Sequence, residues 1–205
     1  MRLIGDKLSS VRGGRTLFAD LSFVVAAGEA LVVTGPNGSG KTSLLRTIAG
    51  LLPPFDGRVR LDGGGADQLL REQCHYIGHL NALKGALTVV ENAGFWARFL
   101  GGAADRVERA LDMLGLAALR DIPAGYLSAG QQRRLGLARL LVAERPVWLL
   151  DEPTTSLDSA GQDALIRAVN THLAGGGIAV AATHAPLAFV NARALALGGV
   201  AVAAA

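Results

Sequence analysis

The chain has 205 residues, enough for one domain with a full core and too few for two such units in tandem. Half of the residues are apolar and the mean hydropathy is +0.35, yet no run reaches the roughly 18 uncharged apolar residues of a spanning helix, so a membrane-crossing segment is excluded. A net charge of +3 and an isoelectric point near 9.5 suit an anionic ligand or a membrane surface as well as a few surplus surface arginines, while the single cysteine, Cys74, excludes an internal disulfide and a cysteine-rich metal site.

The opening MRLIGDK meets Asp6 before any apolar run of signal-peptide length, so no secretion signal is expected and the chain should stay in the cytoplasm. Residues 1–28, with LFADLSFVVAAGE, predict a β-rich flap. Ala30 to Thr34, Val147 to Leu150 and Ile178 to Ala182 are continuous rather than alternating apolar runs, the pattern of strands buried on both faces of a parallel sheet. With helical patterns between them, they predict an α/β core whose ligand site lies at the carboxyl ends of the strands.

After the first run comes Gly35-Pro36-Asn37-Gly38-Ser39-Gly40-Lys41-Thr42, followed by the helix-compatible SLLRTIAGLL. Glycines at these positions let successive N–H groups face phosphates, and the helix adds its N-terminal dipole. Lys41 is expected to hold the β- and γ-phosphates of a nucleotide and Thr42 to give its hydroxyl to Mg²⁺. Pro53 to Gly57 predicts a turn into a strand over Arg58 to Leu61. Leu80 to Glu144 is mostly helical in pattern, clearest over Arg106 to Leu114, and reads as a helical subdomain (80–144) inserted in a core formed by 1–79 and 145–205.

Within that block LSAGQQRRLGLARLL opens on Ser128, a good N-cap, and two small residues that permit an anion to approach. Arg133, Arg134 and Arg139 read as the polar face of this helix rather than as nucleic-acid contacts. Asp151 ends the second apolar run, where its carboxylate reaches a metal through water, and Glu152 is placed to orient or deprotonate an attacking water. His184 follows the third run. Cys74 reads as a buried structural thiol, and His75 and His172 as packed or exposed residues without a chemical role. The closing AVAAA predicts neither a regulatory extension nor a repeat.

The order GPNGSGKT, LSAGQ, VWLLDE resembles that of the ATP-binding cassette (ABC) ATPases, and the resemblance covers essentially the whole chain. It implies a P-loop NTPase fold of the ABC type, ATP and Mg²⁺ as ligands, and a homodimer. In such a dimer Ser128, Gly130 and Gln131 of one chain meet the γ-phosphate held by the other. It further implies that His184 senses the γ-phosphate and that Ser156-Leu157-Asp158 touches the partner. Three positions depart from the family pattern. Ala129 replaces a glycine. Arg12 stands where an aromatic residue stacks on adenine, a task open to a guanidinium plane. Leu80 stands where a glutamine serves the metal and the attacking water, which leaves His79 or Asn81 as substitutes, or a loop that couples to a membrane partner without touching metal. Catalysis is expected to survive because Lys41, Glu152 and His184 are all present.

Tyr76-Ile77-Gly78-His79, Lys84, Leu87 to Asn92, Phe95-Trp96 and PVWLLDEPTTSLD look like the ATPase subunit of the cytochrome c maturation system, the haem exporter. That resemblance implies a peripheral subunit on the cytoplasmic face of the bacterial inner membrane. Two copies would energise a multispanning permease beside haem-handling proteins and release a haem-loaded chaperone. An exporter of another small molecule or of lipoproteins is the alternative. Soluble ABC proteins acting on nucleic acid usually carry coiled coils or tandem cassettes, which this chain lacks. Phe95, Trp96 and Phe99 either line a socket for the membrane subunit or pack the helical block's own core.

Overall fold

The structure, a computed structural model, describes residues 1–65 and 67–198; the closing AVAAA lies outside the described residues. β1 (Arg2–Arg12) and β2 (Arg15–Ala26) form an antiparallel hairpin. Gly13 and Gly14, at φ 54° and 75°, supply the left-handed pair that a two-residue hairpin turn requires. β3 (Ala30–Thr34) starts the second sheet and leads through the Gly-rich loop into α1 (Lys41–Ile48). β4 (Asp56–Asp62) returns to the free edge of β1, giving a three-stranded antiparallel sheet in the order β2-β1-β4.

After β5 (Cys74–Ile77) the chain turns helical. α2 (Val89–Leu100) begins at a reciprocal cap in which Thr88 Oγ1 accepts from Glu91 N–H while the Glu91 carboxylate accepts from Thr88 N–H, and it stops at Gly101 in the left-handed conformation. α3 (Asp105–Met113), α4 (Ala129–Leu137) and α5 (Arg139–Val142) complete the helical block. The chain then runs through β6 (Val147–Asp151), α6 (Ser159–Ala174), β7 (Ile178–Ala182) and β8 (Ala192–Ala196). The second sheet is wholly parallel, in the order β5-β6-β7-β3-β8.

The α/β class expected from the sequence is borne out, and its three apolar runs form the sheet's three inner strands. β5 and β8 were not visible as strands: one spans four residues, the other is an alanine-rich, largely exposed edge. The residue alternation of the inner strands builds two cores. Val147, Leu149, Ile178 and Val180 face α1 and the antiparallel sheet, packing with Leu3, Phe18, Leu44 and Ile48. Trp148, Leu150, Ala179 and Ala181 face α6 and the helical block, with Leu111, Leu135 and Leu165. Both faces are covered, so β6 and β7 are buried at every position. This rigid sheet delivers Gly35, Asp151 and Thr183-His184 to one end.

Candidate functional site

The loop after β3 is shaped by backbone requirements. Gly35 has φ 142°, and a Cβ there would overlap the Leu197 carbonyl oxygen. Gly40 has φ 99°, and its Cβ would press on Leu17 and Phe18 of β2 at 3.0 Å. The loop is thus wedged between β8's end and the antiparallel sheet. Within it the Ser39 hydroxyl is buried and has no hydrogen-bond partner among the described residues. An orphaned donor in a ring of N–H groups at a helix start fits a phosphate oxygen.

Lys41, 8% exposed, folds back on this loop: Nζ donates to Gly35 O at 2.8 Å and to Pro36 O at 3.1 Å, and lies 3.0 Å from His184 Nε2. His184 Nε2 is also 2.9 Å from Asn37 Oδ1 and 3.7 Å from Glu152 Oε1. Thr42 Oγ1 donates to Asp151 Oδ1 at 3.1 Å, and Tyr76 Oη donates to Asp151 Oδ2 at 3.2 Å. Burial pushes the Tyr76 phenol up, keeping it a donor. Arg46 Nε in turn donates to Tyr76 Oη at 3.4 Å, and that bond raises the Arg46 guanidinium further. Glu152 holds φ 45°, a left-handed conformation rare for a residue with a side chain, secured by its N–H donating to Ala182 O at 2.9 Å.

These groups surround one cavity of about 370 Å³ at the carboxyl ends of β3 and β6. Lys41, Thr42, Asn37, Gly38, Asp151, Glu152 and His184 all line it, and exposed Arg12 stands at its rim. These residues, far apart in the sequence, therefore converge on one cavity. The Thr42 hydroxyl and the Asp151 carboxylate are hard oxygen donors of the kind Mg²⁺ accepts alongside phosphates and waters, so the donor set fits that ion. A larger open cleft of about 590 Å³ lies at the opposite ends of β6 and β7. It holds no comparable cluster: His172 stacks on Trp148 with ring centroids 4.0 Å apart and bonds the Ile178 carbonyl.

Ser128, Gly130 and Gln131 lie elsewhere, outside the lining of the phosphate cavity. Ser128 caps α4, accepting from Gln131 N–H at 3.2 Å while Gln131 Oε1 accepts from Ser128 N–H at 2.9 Å. Gly130 is needed inside its own chain, since a Cβ there would come within 2.9 Å of Ser156 O. Ser128 and Ala129 are exposed. Asp158 caps α6 through Gly161 N–H and stands 3.7 Å from Arg134.

The arginines require a correction. Arg133 is not on a polar face: it is 4% exposed and donates to the carbonyls of Gly78 (2.8 Å), Glu152 (3.0 Å), Asp151 (3.3 Å) and Pro153 (3.4 Å), and to Asn81 Oδ1 (3.3 Å). Burial lowers its pKa against the pull of Asp151. Arg139 is half-buried over the Trp96 ring, 4.9 Å from its centroid, with its pKa lowered to about 10, chiefly by burial. Period-3.6 reasoning counts Arg as polar and so placed these side chains outward; neither Arg133 nor Tyr76 carried a sequence signal for its role. Of the loop alternatives, Leu80 is 83% exposed and Asn81 is engaged by Arg133, whereas His79 Nε2 lies 3.7 Å from Asp151 Oδ2.

The remaining expectations are mixed. His75 is buried and its Nε2 lies 2.8 Å from Ala143 O. Cys74 is half-buried rather than fully buried, with its thiol pushed up to about 12 by desolvation. Phe95, Trp96 and Phe99 cluster at centroid distances of 5.4 to 6.0 Å, Phe95 stacked on Phe99 and Trp96 edge-on to both. Trp96 packs on the core and donates to Ala82 O at 3.2 Å, while Phe99 is 71% exposed. The cluster is thus core at one end and open surface at the other.

The ABC transporter family model matches residues 18–155. Among curated proteins, the cytochrome c biogenesis ATP-binding export protein CcmA of Bradyrhizobium diazoefficiens is 56% identical over 98% of this chain and 100% of its own length. The protein of the same name from Rhodopseudomonas palustris (strain BisB5) is 54% identical over the same shares. Among solved structures, an ATP-binding cassette seen as a dimer in a post-hydrolysis state with ADP and Pi superimposes with a TM-score of 0.76 at 25% identity, covering 89% of this chain and 88% of that one.

Proposed function

This chain belongs to the ABC transporter family as an ATP-binding subunit that hydrolyses ATP, and from that premise we propose that it is the motor of an inner-membrane complex for c-type cytochrome biogenesis. The pathway rests on the full-length likeness to the cytochrome c biogenesis relatives, and the observation that carries the motor reading is the division of one site between two surfaces. Phosphate-binding and hydrolytic groups line a single cavity, while Ser128, Gly130 and Gln131 stand outside it on an exposed helix start. A second copy presenting Ser128 and the α4 N-terminus to the first copy's γ-phosphate completes the site, so ATP holds a homodimer together.

The roles follow from the contacts. Lys41 exchanges its bonds to Gly35 O and Pro36 O for the β- and γ-phosphates; its present acceptors keep the ammonium at the right depth. Thr42 and Asp151, already bonded to each other, would hold Mg²⁺, which when bound would neutralise charge developing on the phosphates. Glu152, strained at φ 45° and pinned through Ala182, aims its carboxylate at the attacking water and takes its proton. His184, within 3.7 Å of Glu152 and 3.0 Å of Lys41, bonds the γ-phosphate and so reports its presence to the strand it follows. Arg12 at the rim stacks on the base.

Residues 1–79 and 145–205 make the catalytic core in this reading, and 80–144 the block that meets the membrane subunit. No helix among the described residues is long and apolar enough to cross a membrane. In the proposed complex the translocating path belongs to a multispanning permease partner, with this chain on its cytoplasmic face and haem-handling proteins across the bilayer. Co-purification with the membrane proteins encoded beside it, followed by haem analysis and Mg²⁺-dependent ATPase assay of wild type and Lys41→Ala, tests the proposal. A haem-linked complex whose activity disappears in Lys41→Ala is expected, and Glu152→Gln should accumulate as an ATP-bound dimer. A permease complex unconnected with haem proteins would instead support the other-exporter alternative.

A further inference from the structure

We infer that His79 is a positioning residue of the phosphate site, held there by the buried guanidinium of Arg133; the inference rests on the ATP-hydrolysing reading above. The loop between β5 and α2 offers three neighbouring side chains to the end of β6. Leu80 is apolar and points into solvent. Asn81 lines only the small cleft beside α4, and its Oδ1 is taken by Arg133 Nη1 at 3.3 Å. Asn81 packs directly on the backbone of Gly136 of α4, where an added Cβ would lie 3.1 Å from Asn81 Cβ. Of these three side chains His79 is the one that lines both that cleft and the phosphate cavity, as Glu152 does from the end of β6.

Its Nε2 stands 3.7 Å from Asp151 Oδ2, too far for a direct hydrogen bond. Two such atoms both reach a common water oxygen placed about 2.8 Å from each, where the water donates to the carboxylate and meets the imidazole nitrogen. The other acceptor edge of Asp151 is used by Thr42, and Tyr76 shares Oδ2. The imidazole is therefore the one neighbour of this carboxylate group that makes no direct bond to it. The backbone around it is held: Gly78 O accepts from Arg133 at 2.8 Å, and Ala82 O accepts from Trp96 at 3.2 Å. Because the same guanidinium bonds Asp151 O and Glu152 O, the loop and the end of β6 are set at one separation. That pre-arrangement lowers the cost of ordering His79 around an incoming ligand.

The test uses the full chain with Mn²⁺ and the non-hydrolysable analogue AMP-PNP. Mn²⁺ retention is read from the free-ion EPR signal, and metal-free nucleotide binding is measured separately in EDTA. His79→Ala is expected to weaken Mn²⁺ retention about tenfold or more, with nucleotide affinity in EDTA unchanged. It should also lower kcat for MgATP while leaving KM in place. His79→Gln, which keeps a polar group of similar reach, should recover most of the loss, and Leu80→Ala should match wild type. Arg133→Lys should resemble His79→Ala, and the double variant should lose little more; where Arg133→Lys does not fold, the His79 pair decides. Wild-type retention in His79→Ala, or an equal loss in Leu80→Ala, overturns the inference while leaving the ATPase reading intact. A wild-type chain that binds neither AMP-PNP nor its Mn²⁺ complex overturns both.

Discussion

Replacing Arg133 with methionine keeps most of the side chain's length and removes its donors. The guanidinium has two short bonds, 2.8 Å to Gly78 O and 3.0 Å to Glu152 O, and three of 3.3 to 3.4 Å. Hydrogen bonds from a charged donor contribute about 1.5–3 kcal/mol each when short, and the longer three add less. Against this stands the relief of burying a charge whose own pKa burial has already lowered. A net destabilisation of about 3 kcal/mol follows, because carbonyls at the end of β6 lose the buried charged donor that bonds them. In a chain of this length that corresponds to a melting temperature lower by about 6–12 °C. The matched control is Arg134→Met. Its contacts are a 3.4 Å bond to Leu114 O and a 3.7 Å ion pair with exposed Asp158, so the loss should stay near 1 kcal/mol or below. Differential scanning calorimetry of both variants, at one pH and without nucleotide, measures the difference. Equal melting temperatures for Arg133→Met and wild type, or a larger drop for Arg134→Met, would refute the assignment of Arg133 as an internal brace.

Acid should destabilise the protein through His75. Burial lowers its folded-state pKa from 6.5 to about 4, so the unfolded chain binds the extra proton first. The stabilisation is fully present above about pH 6.5 and is lost as pH falls toward 4, by about 3 kcal/mol at the end of that window. His172, lowered in the same direction by burial, steepens the slope. Urea titrations across this range should show a shallower pH dependence in His75→Phe; an unchanged slope would rule His75 out as the source. On α2, Trp96→Ala should cost about 2 kcal/mol, since it removes a half-buried ring, its bond to Ala82 O and its contact with Arg139. Phe99→Ser, at a 71% exposed position, should stay within about 0.5 kcal/mol of wild type in thermal melts. A docking role for Phe99 then appears as lost assembly with the membrane subunit at unchanged melting temperature.

The inner strands and the helical block were legible because their signals are local. Continuous apolar runs of strand length, a Gly-rich loop between strand and helix, and Ser128 before a helical pattern each involve residues within a few positions of one another. The same locality explains what stayed hidden. β8 alternates no recognisable pattern because it is an exposed edge, and β5 is too short to show one. Cys74 was expected to be buried, but at the first position of an edge strand it is only half covered.

By itself the sequence determined the chemistry available to this chain: a loop for phosphates, an Asp-Glu pair at a strand end, a histidine after the next strand, and a helix start suited to an anion. It also determined the fold class, since burial on both faces of a parallel sheet is written into β3, β6 and β7. Only the tertiary structure decided which side chains share the site. Tyr76 meets Asp151 across 75 positions, Arg133 meets Gly78 across 55, and Lys41 meets His184 across 143. Whether an arginine faces water or braces a strand end depends on the carbonyls that other segments bring to it. Those carbonyls arrive only when distant strands take their places in one sheet, because a buried charge must find its acceptors wherever the fold supplies them.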